Sequence, residues 1–254
     1  MYNESLRSEK EIVLCEDGTN TLFSKEFNEP YHSTKDGALH ESLEKHVKPA
    51  LVLTQNKKQL TILDICFGLG YNTFAMIYYI KKHKITTKVH ILSPEFDEEL
   101  VRSLHTFEYP PEFENIKDII LAISQNLFYE DEQFRIDILL GDARQSIPQI
   151  TEKIDIVYQD AFSPAHNPLL WTREHFEDIR KICNDDALLT TYSTAAAIRL
   201  GLYENGFYIF VHRAEMMRYS TVASLQMLED LEYIDMELKK ERNPTARSMK
   251  DEEC

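Results

Sequence analysis

Three acidic residues are placed where a carboxylate could do chemistry: Glu95, Asp142 and Asp160. Glu95 lies just past the strand-like run Lys88–Ser93, Asp142 follows Phe134–Leu140 and a glycine, and Asp160 follows Ile154–Gln159. In open α/β sheets ligands bind beyond the carboxyl ends of the strands, so these positions point into one crevice. A carboxylate there can accept both hydroxyls of a ribose or the exocyclic amine of adenine, or hold a substrate amine and take up its proton. Each acid alone reads equally as a solvated loop carboxylate. Scatter rarely places three at strand ends.

Asp160 has the richest surroundings, Gln159-Asp160-Ala161-Phe162-Ser163-Pro164-Ala165-His166-Asn167-Pro168. Pro164 and Pro168 fix φ and stiffen the loop. Phe162 offers a π-face to a cation, and a sulfonium or an ammonium qualifies. Asp160 is therefore the catalytic candidate, with Phe162 and Pro164 beside the substrate. A structural turn with an Asp cap would use similar residues. His166 reads as a loop histidine and Trp171 as a packing residue at a helix start.

The element that must position these acids is Leu60 to Ala75, LTILDICFGLGYNTFA. Its apolar run reads as a strand, Phe67-Gly68-Leu69-Gly70 as a tight turn, and the rest as a helix for which Asn72 and Thr73 are the expected caps. The chain has only 7 glycines, and two of them stand here. A backbone that passes close to a ligand cannot carry a Cβ, although glycines serve an ordinary turn as well. The third glycine of the dinucleotide pattern is missing, since that position is Thr73. S-adenosylmethionine is therefore a better ligand than NAD.

After Leu60, strands and helices alternate, which predicts a mostly parallel sheet with crossover helices. Before it, residues 1–59 predict a β-hairpin (Val13-Leu14 with Thr21 to Phe23), the loop Tyr31-His32-Ser33, and a short helix Ser42–Val47 ended by Pro49. This extension reads as a surface cover or as a lid over the ligand. Residues 60–228 form the predicted main domain, with a helical insertion over about 105–133. Residues 229–254 form a charged tail whose end is expected to be disordered.

Forty-three acidic residues against 28 basic ones give a formal charge of −15, which disfavours a broadly basic nucleic-acid surface. The acidity is concentrated: Glu95 to Glu132 holds eleven acids and two bases. The four cysteines form no metal-ligand spacing, the opening residues are too polar for a signal peptide, and no apolar run is long enough for a membrane span. A reduced, cytoplasmic protein follows as the expectation.

From about Glu16 to Gln226 the chain resembles the methyltransferase module of the MnmC family. The resemblance rests on FNEPYHSTKDGALHES, FGLGYN, Ser93-Pro94-Glu95, Leu140-Gly141-Asp142, TYSTAAAIRLGLYENGF and, most specifically, QDAFSPAHNPLLW. It implies a class I S-adenosylmethionine-dependent methyltransferase with a Rossmann-like, seven-stranded sheet whose final strand is antiparallel. It further implies N-methylation of 5-aminomethyl-2-thiouridine at the wobble position of tRNA. Phe67, Gly68 and Gly70 would stand near the methionine end of the cofactor, Glu95 on its ribose and Asp142 at its adenine, and Asp160 would handle the amine. The candidate set also takes in Asn72 and Ala143 for the cofactor and Tyr31 for the substrate. Neither FAD nor a metal is expected. A chain of 254 residues leaves no room for the family's flavin-dependent oxidase module. The expected partner is tRNA, with no membrane and a monomeric chain.

Some residues depart from the family pattern. Cys66 stands where a first glycine is common, Ala161 and His166 replace a frequent Gly and Lys, and the basic stretch after the sixth strand is thinned to HRAEMMRYST. Two other readings remain open on the same residues: an aminopropyltransferase, and a non-catalytic cofactor-binding protein. RNA contacts are sought in Lys81-Lys82-His83-Lys84 and in the tail KKERNPTARSMK.

Overall fold

The computed structural model describes residues 8–215 and 217–254. Most of the polar opening stretch read as lacking a leader lies outside the described residues. The predicted hairpin forms from β1 (Lys10–Leu14) and β2 (Asn20–Ser24), with Val13 opposite Thr21. Asp17 closes its turn by accepting from the backbone N–H and hydroxyl of Thr19 at 2.9 and 2.6 Å. The short β3 (Glu29–Pro30) pairs with β2, which makes a separate three-stranded sheet.

The next helix does not stop at Pro49. α1 (Ala38–Glu41), a π-helical turn Ser42–Val47 and α2 (Lys48–Leu53) follow one another without a break. A proline inside a helix normally loses a hydrogen bond and strikes the carbonyl four residues back. Here the wide turn sends the Lys48 N–H to the Leu43 carbonyl, and Pro49 falls in the first turn of the renewed α-helix. Its missing N–H is then not needed.

Alternation then holds along the chain. β4 (Gln59–Ile65), α3 (Tyr71–His83), β5 (Lys88–Glu95), α4 (Glu98–Ser103), α5 (Lys117–Asn126) and β6 (Phe128–Glu130) come first. β7 (Phe134–Leu140), α6 (Ala143–Ser146), β8 (Ile154–Gln159), α7 (Arg173–Ile182) and β9 (Cys183–Thr191) follow. α8 (Ala196–Glu204), β10 (Tyr208–His212), β11 (Ser220–Ser224), β12 (Glu232–Ile234) and α9 (Met236–Arg242) complete the chain. The main sheet runs β12-β10-β11-β9-β8-β4-β5-β7-β6. β9, β8, β4, β5 and β7 are parallel neighbours, and β11 enters antiparallel between β10 and β9. Both faces are covered. On β4, Leu60 and Ile62 bury into one core while Leu63 and Ile65 bury into the other, as the period of two along a strand requires.

Two strands exceed the expected seven, for local reasons. The acidic insertion yields β6, which pairs antiparallel with β7. The tail yields β12, which pairs with β10. The expected disorder of the tail is corrected as well. Its charges conceal Ile234 and Met236, both buried, and Asp235 caps α9 by accepting from the Leu238 N–H at 2.9 Å. Arg144 then grips Asp251 through two hydrogen bonds of 2.8 and 2.6 Å, a fork that fixes direction as well as distance. No helix among the described residues is long and apolar enough to cross a membrane.

Candidate functional site

The glycine turn carries three left-handed residues in alternation: Cys66 at φ 67°, Gly68 at φ 54° and Gly70 at φ 72°. Cys66 thus adopts the conformation of the glycine it replaces, at a cost of about 1–2 kcal/mol. The turn is pinned from outside. The Gly68 N–H donates to Glu95 Oε2 at 2.7 Å, and the Phe67 N–H reaches the Pro94 carbonyl at 3.2 Å. Glu95 also accepts from the Asp97 N–H at 2.7 Å, so one carboxylate ties the end of β5 to the turn after β4. Burial raises its pKa, while these backbone donors pull against that shift.

Asn72 and Thr73 are not the helix caps. α3 is capped by Gly70 without a side-chain bond, and both side chains turn inward instead. Thr73 donates to Asp64 Oδ2 at 2.7 Å, and the Asn72 amide donates to Asp160 Oδ2 at 2.9 Å. A polar side chain can leave the cap when a buried carboxylate offers a charge-assisted acceptor. Burial pushes the pKa of Asp64 up to about 7, and the nearby charge of Asp160 adds to the shift.

Beyond this turn lies an open cavity of about 850 Å³, counted together with its mouth. Of the candidates, Phe67, Gly68, Asn72, Glu95, Asp142, Ala143, Asp160, Phe162 and Tyr31 line it, whereas Gly70 and Pro164 do not. The three acids therefore meet in one space. Asp142 also accepts from the Arg144 N–H at 2.9 Å and so caps α6. Gly70 serves packing: a Cβ there would meet the Phe74 ring at 2.5 Å and the Phe67 ring at 2.9 Å. Gly70→Ala is expected to cost about 2–4 kcal/mol of stability from backbone strain and overpacking. Urea unfolding checks this, and a loss under ~0.5 kcal/mol, the scale of a neutral surface change, would show that the rings yield freely.

The extension before β4 closes the cavity on one side. Phe27 stacks on Phe162 with centroids 4.3 Å apart, and Tyr31 meets Phe162 edge-on at 4.8 Å. Glu29 accepts from the Ser163 N–H at 2.5 Å and from its hydroxyl at 2.6 Å. Trp171 donates to the Phe162 carbonyl at 2.7 Å, which holds the loop from below. The acidic insertion reaches the turn too, where the Tyr109 hydroxyl donates to the Leu69 carbonyl at 2.7 Å.

The sequence reading missed the histidines around Asp160. His46 Nε2 lies 3.5 Å from Asp160 Oδ1, and its Nδ1 bonds Thr190 Oγ1 at 2.8 Å. Burial acts to raise the Asp160 carboxyl, but His46, His32 and the Asn72 amide together bring it below its ordinary value. Burial also lowers the pKa of His32, against the pull of Asp160. One signal was available for His46: it lies four residues from both Ser42 and Ala50, in the middle of a buried helical stripe. Asp64 was passed over as one more strand residue. No cluster of three or more His, Cys, Asp or Glu with metal-site geometry occurs among the described residues.

Comparison with known proteins identifies the fold and the family. A family model described as an S-adenosyl-L-methionine-dependent methyltransferase matches residues 113–225. The crystal structure of MNMC2 from Aquifex aeolicus superposes with a TM-score of 0.85 at 34% identity, covering 99% of this chain and 81% of that one. An uncharacterized protein of Methanocaldococcus jannaschii is 33% identical over 210 residues, covering 81% of this chain and 56% of that protein. The tRNA 5-methylaminomethyl-2-thiouridine biosynthesis bifunctional protein MnmC of Ralstonia nicotianae is 30% identical over 204 residues. That match covers 74% of this chain, and the chain spans 30% of the bifunctional protein. The fold is thus that of a class I S-adenosylmethionine-dependent methyltransferase. Within that class, the chain belongs to the MnmC methyltransferase family.

Proposed function

We propose that this protein methylates the primary amine of a 5-aminomethyluridine, with 5-aminomethyl-2-thiouridine at the wobble position of tRNA as its substrate. The observation that carries this reading is Asp160: a partly buried carboxylate at a strand end, opening into the cavity beside Phe162 and Asn72. A carboxylate so placed suits a positively charged amine. A hydroxyl or carbon acceptor would gain less from it. The names of the MnmC relatives supply the RNA.

The residues present fit S-adenosylmethionine. Glu95, Asp142 and Asp160 face one cavity, and glycine at position 68 lets the turn meet Tyr31 in its wall, where a Cβ would stand 3.0 Å from the ring. The buried Asn72 Oδ1 has no hydrogen-bond partner in the protein, so it can serve a ligand. When bound, the cofactor supplies an electrophilic methyl group on a sulfonium. The chain's own residues do the rest. Glu95 and Asp142 hold ribose and adenine with the oxygen lone pairs left over from their backbone bonds, Phe67, Gly68 and Ala143 shape the walls, and Tyr31 and Phe162 exclude water. Asp160 binds the ammonium, takes part in removing its proton, and orients the nitrogen.

The decisive experiment is transfer of a labelled methyl group to tRNA from cells lacking this gene, followed by nucleoside analysis. Label in 5-methylaminomethyl-2-thiouridine is the expected result, and label elsewhere or nowhere overturns the reading. The cofactor assignment has its own check. Glu95→Ala and Asp142→Ala are each expected to weaken S-adenosylmethionine binding by about ten- to a hundred-fold, the value of one hydrogen bond to a charged group. Unchanged calorimetric affinity in both variants would remove these residues from the site.

A further inference from the structure

Between α8 and α9 lies a further open cavity, of about 630 Å³ counted with its mouth, lined by Arg199, Lys239 and Lys240 together with Thr194 and Asn243, and among the described residues by no acidic side chain. That is unusual for a chain with 43 acids and 28 bases. Arg199 is half-buried, and among the described residues it forms no ion pair. Its Nε donates to Thr221 Oγ1 at 3.0 Å. Buried guanidinium groups normally face a carboxylate, and burial without one depresses the pKa of Arg199. Helix electrostatics sharpens the point. Lys239 and Lys240 suit the last turn of α9, but Arg199 stands in the first turn of α8, where a cation is unfavourable. That first turn has no acid and no side-chain cap. An anion is what this arrangement lacks.

The cavity adjoins the catalytic edge of the sheet. The Tyr192 hydroxyl donates at 3.0 Å to the carbonyl of Ala161, the neighbour of Asp160. Thr194, on the cavity wall, follows two residues later, a chain distance of at most about 7 Å. Thr221, which holds Arg199, donates to the Ser193 carbonyl at 2.6 Å. The other basic run is poorly placed. Lys81-Lys82-His83 ends α3, whose 13 residues carry it away from the glycine turn, a span of about 20 Å. Lys82 there is also bonded to the Tyr78 hydroxyl at 2.7 Å.

We propose that Arg199, Lys239 and Lys240 bind adjoining backbone phosphodiesters of the RNA substrate, one cation to each, next to the nucleotide presented to Asp160. The planar fork of Arg199 receives two phosphate oxygens, and the lysines add charge at the rim. This inference rests on the tRNA reading above and explains how a strongly acidic protein can hold a polyanion: the cations are few and local, and among the described residues none of the three forms an ion pair, Lys240 lying instead 5.8 Å over the Tyr203 ring.

Fluorescence-anisotropy titration of labelled tRNA against salt tests it, using the full chain, Lys239→Gln/Lys240→Gln, the same pair with Arg199→Gln, and Lys82→Gln as control. The triple variant is expected to bind tRNA at least ten-fold more weakly at moderate salt. The slope of log affinity against log salt should fall by about 2, as for three lost contacts to a single strand. S-adenosylmethionine affinity should not change, and Lys82→Gln should behave as wild type. If Arg199→Gln perturbs folding, the lysine double variant still decides, with about two-thirds of the slope change. Wild-type slopes in the altered proteins overturn the proposal. Protection of the site by millimolar inorganic phosphate as effective as that by RNA also overturns it, in favour of a small-anion site. Absence of tRNA binding by the unaltered protein would instead overturn the tRNA reading itself.

Discussion

Asp160→Asn should lower methyl transfer to tRNA by about a hundred-fold or more, the scale of a general acid–base contribution, while cofactor binding and folding persist. The substitution keeps the side-chain shape. Its carbonyl oxygen can still accept from the Asn72 amide, which now lies 2.9 Å from Asp160 Oδ2. Its NH₂ group can face His46 Nε2, which now stands 3.5 Å from Asp160 Oδ1. What disappears is the negative charge. A primary amine is largely protonated at neutral pH, and an ammonium has no lone pair to offer. In the unaltered protein the carboxyl of Asp160 is held below its ordinary value, with His46 and the Asn72 amide outweighing the effect of burial, so the charge is in place when the ammonium arrives. Raising the pH should therefore rescue the variant in part, since free amine then forms without help. Initial rates of labelled methyl incorporation across pH, with calorimetry of cofactor binding alongside, give the answer. A wild-type rate at neutral pH would make Asp160 a structural loop residue.

Periodicity carried most of the fold. β7 and β8 have the bounds that their apolar runs indicated, and Thr172 caps α7 by accepting from the His175 N–H. What the sequence hid were cases where tertiary structure overrides a local rule. Pro49 reads as a stop because propensity does not foresee a π turn beneath it. The tail reads as solvated because the spacing of Ile234 and Met236 is drowned by charge, and because Arg144, the partner of Asp251, lies 107 residues away. The candidate site divides in the same manner. Acids at strand ends are legible, since the end of a parallel strand is a place with a meaning. The inward turn of Asn72 and Thr73 was not, since both residues are good caps and only Asp64 and Asp160 explain why they abandon that role. His46 comes from an element that the sequence ties to nothing in the sheet, yet it bonds to Thr190 on β9.

Asp64→Asn should make the protein more stable above neutral pH and leave it nearly unchanged in acid. Asp64 is buried beneath the glycine turn with a folded pKa of about 7, against an ordinary value of 3.8. The folded chain therefore holds this proton more tightly than the unfolded chain does. Stability from this group is fully present below about pH 4 and is lost as pH rises to about 7, because the unfolded state ionises first. That rise in pKa corresponds to roughly 4 kcal/mol, an upper figure for a buried carboxyl that can relax. Asparagine carries no charge at any of these pH values, and its carbonyl can still accept from the Thr73 hydroxyl that now donates to Asp64 at 2.7 Å. Urea unfolding at about pH 4 and about pH 8 should show the two proteins diverging by about 2–4 kcal/mol at the higher value. An equal difference at both would mean that Asp64 does not titrate in this range. The same change should slow catalysis. Asp64 and Asp160 share the Asn72 amide, which lies 3.5 Å from one carboxylate and 2.9 Å from the other. Removing the Asp64 charge frees Asn72 from one of its two acceptors and weakens the negative field that attracts an ammonium. A chain that keeps a costly buried acid beside its amine-binding carboxylate trades stability for charge in the site. An Asp64→Asn variant that is more stable and fully active would show that no such trade exists.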